Sequence, residues 1–273
     1  MAQQKRREHP LITILTIMEL IFHSSVRSIR KSHSNALIGL LMNVIQTVLL
    51  VAVFFIVFSV VGGGAAAIRG DYLLFLLSGI FVYMCHIKVL SAVVGSEGPA
   101  SPMMKHAPMN TIVAIGAAAL GELYIQTLSL AVVLLLYHTA WTPLEIYQPV
   151  GFFGMVFLGW FSGLAVGMVL LSLKPWMPQS VKLFTQLYSR LNMFASGKMF
   201  AANSLPAFML PYFTWNPLFH IVDQGRGYAF INYTPYQSSL TYPIYVSLIL
   251  LMIGLMGEFY TRQRASASWE AKL

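Results

Sequence analysis

An all-α integral membrane protein is the fold class this sequence predicts. It has six transmembrane helices, an N-terminal amphipathic interface helix and a re-entrant helical hairpin before the last span. Three observations predict it. Of the 273 residues, 57% are hydrophobic and only 10% charged, with a mean hydropathy of +0.70, a composition foreign to soluble domains. Six apolar stretches, 36–61, 72–94, 111–137, 150–173, 181–202 and 242–260, match the roughly 20 residues that cross a bilayer. Finally, the cations sort to alternate connections between these stretches, as positive charge does in multi-spanning proteins.

The formal charge of +8 is therefore read as a marker of cytoplasmic loops rather than of nucleic-acid binding. The one cysteine, Cys85, lies inside an apolar stretch and supports neither a disulfide framework nor a thiol metal site. The basic start, MAQQKRREHP, runs into helical periodicity without a short apolar core and cleavage site, so no cleaved signal peptide is expected.

Pro10 suits the first turn of a helix. Leu11, Ile14, Leu15, Met18, Ile21, Phe22, Val26 and Ile29 then recur at helical spacing, opposite Thr16, Glu19, His23, Arg27, Arg30 and Lys31. Such a helix lies in the membrane interface with its cations toward lipid phosphates. With the N-terminus inside, the inner segments hold Lys5, Arg6, Arg7, Arg27, Arg30, Lys31, Lys105, Lys174, Lys182, Arg262, Arg264 and Lys272. The outer segments hold only Arg69 and Arg226, which places both termini in the cytoplasm. Lys88, Arg190 and Lys198 fall inside spans.

Gly159, Gly163 and Gly167 mark one face of the fourth span at four-residue intervals and permit close helix approach, within the subunit or across a dimer. The inner linker 95–110, punctuated by Pro99, Pro102 and Pro108, is either a plain connector or a docking site for a cytoplasmic partner. After the fifth span, residues 203–240 lie outside but are half apolar. The run 205–213 is too short to span and too apolar for a solvated loop, which suggests the first arm of a hairpin dipping into the outer leaflet. Asn216-Pro217 reads as an N-cap with proline at the first helical position, so 218–225 forms the second arm.

No phosphate-binding Gly-rich loop, His-Glu-x-x-His or Gly-x-Ser-x-Gly elbow occurs, so neither ATP binding nor catalysis has support on this chain. The unusual residues are intramembrane charges. Glu122 and Arg190 sit at similar depth, ~15–18 Å from the inner face at ~1.5 Å per residue. Each alone costs at least about 2.5 kcal/mol, so each needs a partner or a wet path. Two readings stay open: a structural Glu122–Arg190 pair, or a conduit. In the conduit, Arg190 and Lys198, two turns apart on one face, line a path for an anionic sugar or lipid phosphate. Tyr188 and Asn192 flank it and Lys88 lies near its inner end. Asp223 and Arg226, three apart, fit a pair on one helix face.

The arrangement resembles a type-2 ABC exporter permease, and within that group the capsular polysaccharide and O-antigen export permeases. The most specific likeness is Asn216-Pro217-Leu218-Phe219-His220 with Asp223 and Arg226, similar to the family pattern Asn-Pro-x-x-His-x-x-Glu-x-x-Arg with Asp in place of Glu. Phe75–Gly79, Leu120–Leu123, and Glu19 with Arg27 and Arg30 add weaker matches.

The resemblance implies export of a lipid-linked, acidic polysaccharide across the inner membrane by a homodimer of this permease with two copies of a nucleotide-binding ATPase subunit. ATP and Mg would be bound by that ATPase, with no cofactor on this chain and no enzymatic activity of its own. A periplasmic co-polymerase or adaptor and an outer-membrane exporter are further implied partners. The implied organisation is a cytoplasmic N-terminus (1–35), a six-span transmembrane domain (36–262) and a cytoplasmic tail (263–273). By the same resemblance Glu19, Arg27, Arg30, Glu97, Met103, Lys105 and His106 would couple to the ATPase. Trp215, Asn216, Pro217, His220, Asp223 and Arg226 would gate the periplasmic end.

Overall fold

The computed structural model describes residues 16, 18–26, 36–61, 71–96 and 111–270. Every long element among them is a helix: α1 (18–26), α2 (Ala36–Val61), α3 (Tyr72–Gly95), α4 (Thr111–Ala140), α5 (Pro149–Leu173), α6 (Pro178–Ala195), α7 (Pro217–Ala229) and α8 (Thr241–Glu270). Among the described residues, four stretches are long and apolar enough to cross a membrane: Tyr72–Gly95, Thr111–Ala140, Pro149–Leu173 and Thr241–Arg264. Within α2, Leu41–Val57 is a shorter apolar stretch.

α3 is the axis of the bundle. Its side chains from Leu74 to His86 are buried without interruption, as expected of a helix surrounded by others rather than by lipid on one face. Asp71 starts it as N-cap, accepting from Leu73 N–H at 2.7 Å. The α5 glycines lie directly against this axis. A Cβ on Gly159 would stand 3.3 Å from Val82, and one on Gly167 3.0 Å from Val93; one on Gly163 would overlap the His86 carbonyl. The glycine stripe therefore serves packing within the subunit, because only a bare Cα lets the two helices meet at this distance. α8 approaches the other side of α5 in the same manner, with Gly254 against Met168 and Gly257 against Ser172.

Polar ties fix the outer helices to this pair. Trp160 Nε1 donates to Ala119 O (2.8 Å), joining α5 to α4, and Asn43 Nδ2 to Ser129 Oγ (3.0 Å), joining α2 to α4. Tyr83 Oη donates to Ser189 O (3.1 Å), joining α3 to α6. In α1, Ile21 packs on Gly116 of α4 while Met18 and Phe22 stay exposed.

Two expectations change. The fifth stretch, read as 181–202, is helical only over Pro178–Ala195 and is not among the stretches apolar enough to span. Its repeated polar residues, Lys182, Gln186, Arg190 and Asn192, dilute its hydropathy, and Gly197, at φ +68°, turns the chain away. The first arm of the expected hairpin is a series of turns ending in one helical turn, Pro211–Thr214. Pro206 and Pro211 leave too few backbone donors for a longer helix. The second arm, α7, is longer than read, extending to Ala229.

Candidate functional site

α7 begins where the sequence places it. Asn216 Oδ1 accepts from Leu218 N–H (3.1 Å) and Pro217 occupies the first turn. The Asn216 amide also donates to Asn192 Oδ1 and Ala195 O, both at 2.9 Å, so the cap of α7 fastens the end of α6. One turn on, His220 Nδ1 accepts from Ser239 N–H (2.9 Å), which leaves Nε2 as the protonated nitrogen donating to Thr214 O (2.7 Å).

Asp223 and Arg226 make no ion pair with each other. They hold different segments. Asp223 accepts from the Tyr233 hydroxyl and from Ser238 Oγ (2.7 Å), and Gln224 donates to Ser238 O (3.1 Å), pinning the loop before α8. Burial first, and then the Asp223 carboxylate beside it, push the Tyr233 hydroxyl above its ordinary pKa.

Arg226 reaches the opposite way. It donates through Nη1 to Gly197 O (2.9 Å) and Phe200 O (2.5 Å) and through Nη2 to Lys198 O (2.5 Å), while its guanidinium lies 3.8 Å from the Phe75 ring centre. The contact tolerates no side chain at Gly79: a Cβ there would stand 2.8 Å from Arg226 Nη2 and 3.0 Å from Lys198 O. Gly79 closes the Phe75–Gly79 stretch singled out above, and this is its physical role.

The clamped loop presents Lys198. Its side chain is fully buried, with Nζ 3.3 Å from the Tyr83 ring centre and 5.5 Å from that of Phe54, and among the described residues Nζ has no hydrogen-bond partner. A desolvated cation–π contact is worth about 2 kcal/mol. Removing a lone ammonium from water costs several kcal/mol. Aromatic faces alone leave the ammonium under-compensated.

The other expected residues are dispersed. Arg190 and Lys198 do not share a helix face, because α6 ends at Ala195 between them; Arg190 is exposed on α6. Glu122 accepts from Gln126 Nε2 (2.6 Å), and among the described residues no ion pair joins it to Arg190. Tyr188 donates to His86 Nε2 (2.9 Å), His86 Nδ1 donates to Ser162 Oγ (2.7 Å) and Ser162 donates to Gly159 O (3.0 Å). This directed chain joins α6, α3 and α5. Lys88 donates to Gln46 Oε1 (2.7 Å), Trp215 is exposed with its carbonyl accepting from Tyr242 Oη, and Glu19 lies 3.8 Å from His23. Arg27, Arg30, Glu97, Met103, Lys105 and His106 lie outside the described residues.

Sequence reading missed the Tyr83–Phe54 surround of Lys198 and the His86 network. The one available signal was a histidine and a tyrosine three apart in an otherwise apolar helix. A second feature is a half-open cavity of about 350 Å³ at the α3 N-terminus, bordered by Asp71, Tyr137, Thr142, Glu145 and Asn232. The Asp71 carboxylate there already accepts from Tyr137 (2.5 Å) and Thr142 (3.1 Å).

No protein-family model matches the chain. Two curated proteins of Escherichia coli, both named polysialic acid transport protein KpsM, are each 28% identical over 195 residues, covering 70% of this chain and 73% of theirs. The helical bundle with its apolar spans and this similarity together sustain what the motifs indicated: the chain resembles a capsular polysaccharide export permease.

Proposed function

We propose that the chain is the permease subunit of an ABC exporter that moves a lipid-linked, acidic capsular polysaccharide across the bacterial inner membrane, driven by ATP hydrolysis in a separate subunit. The similarity to polysialic acid transport proteins over most of the chain carries this reading, since polysialic acid is itself an acidic polymer. The working unit is a homodimer with two ATPase copies, both termini in the cytoplasm, and the six spans are the four apolar helices with α2 and the amphipathic α6, whose polar face then meets protein or water rather than lipid. Exposed apolar side chains on α2 (Leu41, Ile45, Leu49, Val53, Ile56) and on α6 (Leu183, Leu187, Leu191, Phe194) support those two helices as the surfaces facing a partner copy or the translocation path.

Within that path Lys198 contacts the polymer, with Arg190, Tyr188, Asn192 and Lys88 as flanking positions. The α7 segment is a periplasmic gate whose polar side chains hold its frame. The N-terminal helix and the inner linker 95–110 dock the ATPases. Expression of the chain with its own ATPase in a strain lacking both KpsM and its ATPase partner tests the reading. Surface polysaccharide should return only when both subunits are present. Polysaccharide confined to the cytoplasm despite normal levels of both proteins would refute it, and modification of a lipid-linked sugar by the purified chain alone would favour a transferase instead.

A further inference from the structure

We infer that the Lys198 ammonium is an anion-binding site, taking one carboxylate or phosphate group of the exported molecule, and that Arg226 is the residue that positions it. The identity of the ligand rests on the export reading above; the site rests on geometry. Lys88, Lys174 and Arg226 each donate to an oxygen of this chain, whereas the three donors of Lys198 find no oxygen among the described residues.

The backbone beneath Lys198 cannot retreat. Gly197 holds a left-handed conformation against Phe219, Gly79 admits the Lys198 backbone, and the Arg226 fork grips the carbonyls on both sides. A cation held this firmly without an oxygen partner is preorganised for a ligand rather than for a contact already made. Tyr83 of α3 stands 3.3 Å and Phe54 of α2 5.5 Å from Nζ, so the two rings flank the ammonium without offering it an oxygen. A single ammonium is a compact point charge, unlike the bidentate guanidinium, so the site selects on charge and tolerates different sugars.

The test uses full-length protein in phosphatidylcholine nanodiscs, titrated with tetragalacturonate, inorganic phosphate or neutral maltotetraose. The wild type should bind tetragalacturonate at least about tenfold more tightly than maltotetraose, the scale of one charge-assisted hydrogen bond. Lys198→Gln should erase that preference, Lys198→Arg should retain most of it, and Lys174→Gln should leave it unchanged. Stronger competition by phosphate than by galacturonate assigns the site to a phosphate linkage or lipid headgroup; the reverse assigns it to sugar carboxylates. Equal binding by Lys198→Gln and wild type, or no charge preference in the wild type, overturns the inference.

Should Lys198→Gln not fold, ¹⁵N-lysine NMR of the wild type decides. A Lys198 Nζ signal, identified by its absence in Lys198→Arg, must move with tetragalacturonate and not with maltotetraose, and an unmoved signal overturns the site. Persistent export with unaltered binding in Lys198→Gln would remove the site and leave the export reading intact, whereas a wild-type chain supporting no export would remove the reading itself.

Discussion

Arg226 spends its guanidinium on three backbone carbonyls of one short loop and on the face of Phe75. A lysine keeps the charge and has three donors, but its single nitrogen cannot occupy both Nη positions of the planar fork, so at least one buried carbonyl loses its donor. Each such loss costs about 1–3 kcal/mol. Arg226→Lys should therefore lower the thermal unfolding midpoint in detergent by several degrees. An unchanged midpoint would mean that the loop is held by other contacts. The N-cap was legible because Asn-Pro states its own local geometry: one side chain to accept, one ring that needs no donor. The partners of Arg226 were not legible, because they lie 26 to 29 residues away and are backbone atoms, which any residue types would supply. The three-residue spacing suggested Asp223 as its partner on one helix face. In the folded chain Tyr233 and Ser238 claim that carboxylate.

Helix boundaries were easiest to read where hydropathy alone determines them. α2 matches its expected limits at both ends, and α3, α4 and α5 match within a few residues, because a membrane span must be apolar throughout and its ends are where polarity resumes. α6 failed that logic. Its apolar residues occupy one face only, and the break at Gly197 depends on a clamp from α7 that no local pattern announces. The glycine stripe of α5 offers a sharp test within a single helix. Gly163→Leu must push α5 off the His86 backbone, whereas Gly154 has nothing within 4 Å of a built Cβ. Overpacking costs about 1–3 kcal/mol and more where backbone is the obstacle. Folded yield should collapse for Gly163→Leu and stay near wild type for Gly154→Leu; equal yields would contradict the assigned α3–α5 contact.

At the scale of the whole molecule, the tight unit is α3 with α5, α7 and α8, and the exposed apolar faces of α2 and α6 lie outside it. The proposed docking of an ATPase on the inner linker predicts that cysteines introduced at Glu97 and Ala107 crosslink to that subunit; absence of crosslinks in every nucleotide state would exclude the linker as the contact. The most direct measurement of the central claim is ATP-dependent uptake of radiolabelled, lipid-linked acidic polysaccharide into inverted inner-membrane vesicles containing this chain and its ATPase. Uptake should require both subunits and ATP hydrolysis, and it should fall sharply with Lys198→Gln. Uptake that proceeds equally well without this chain would contradict the account.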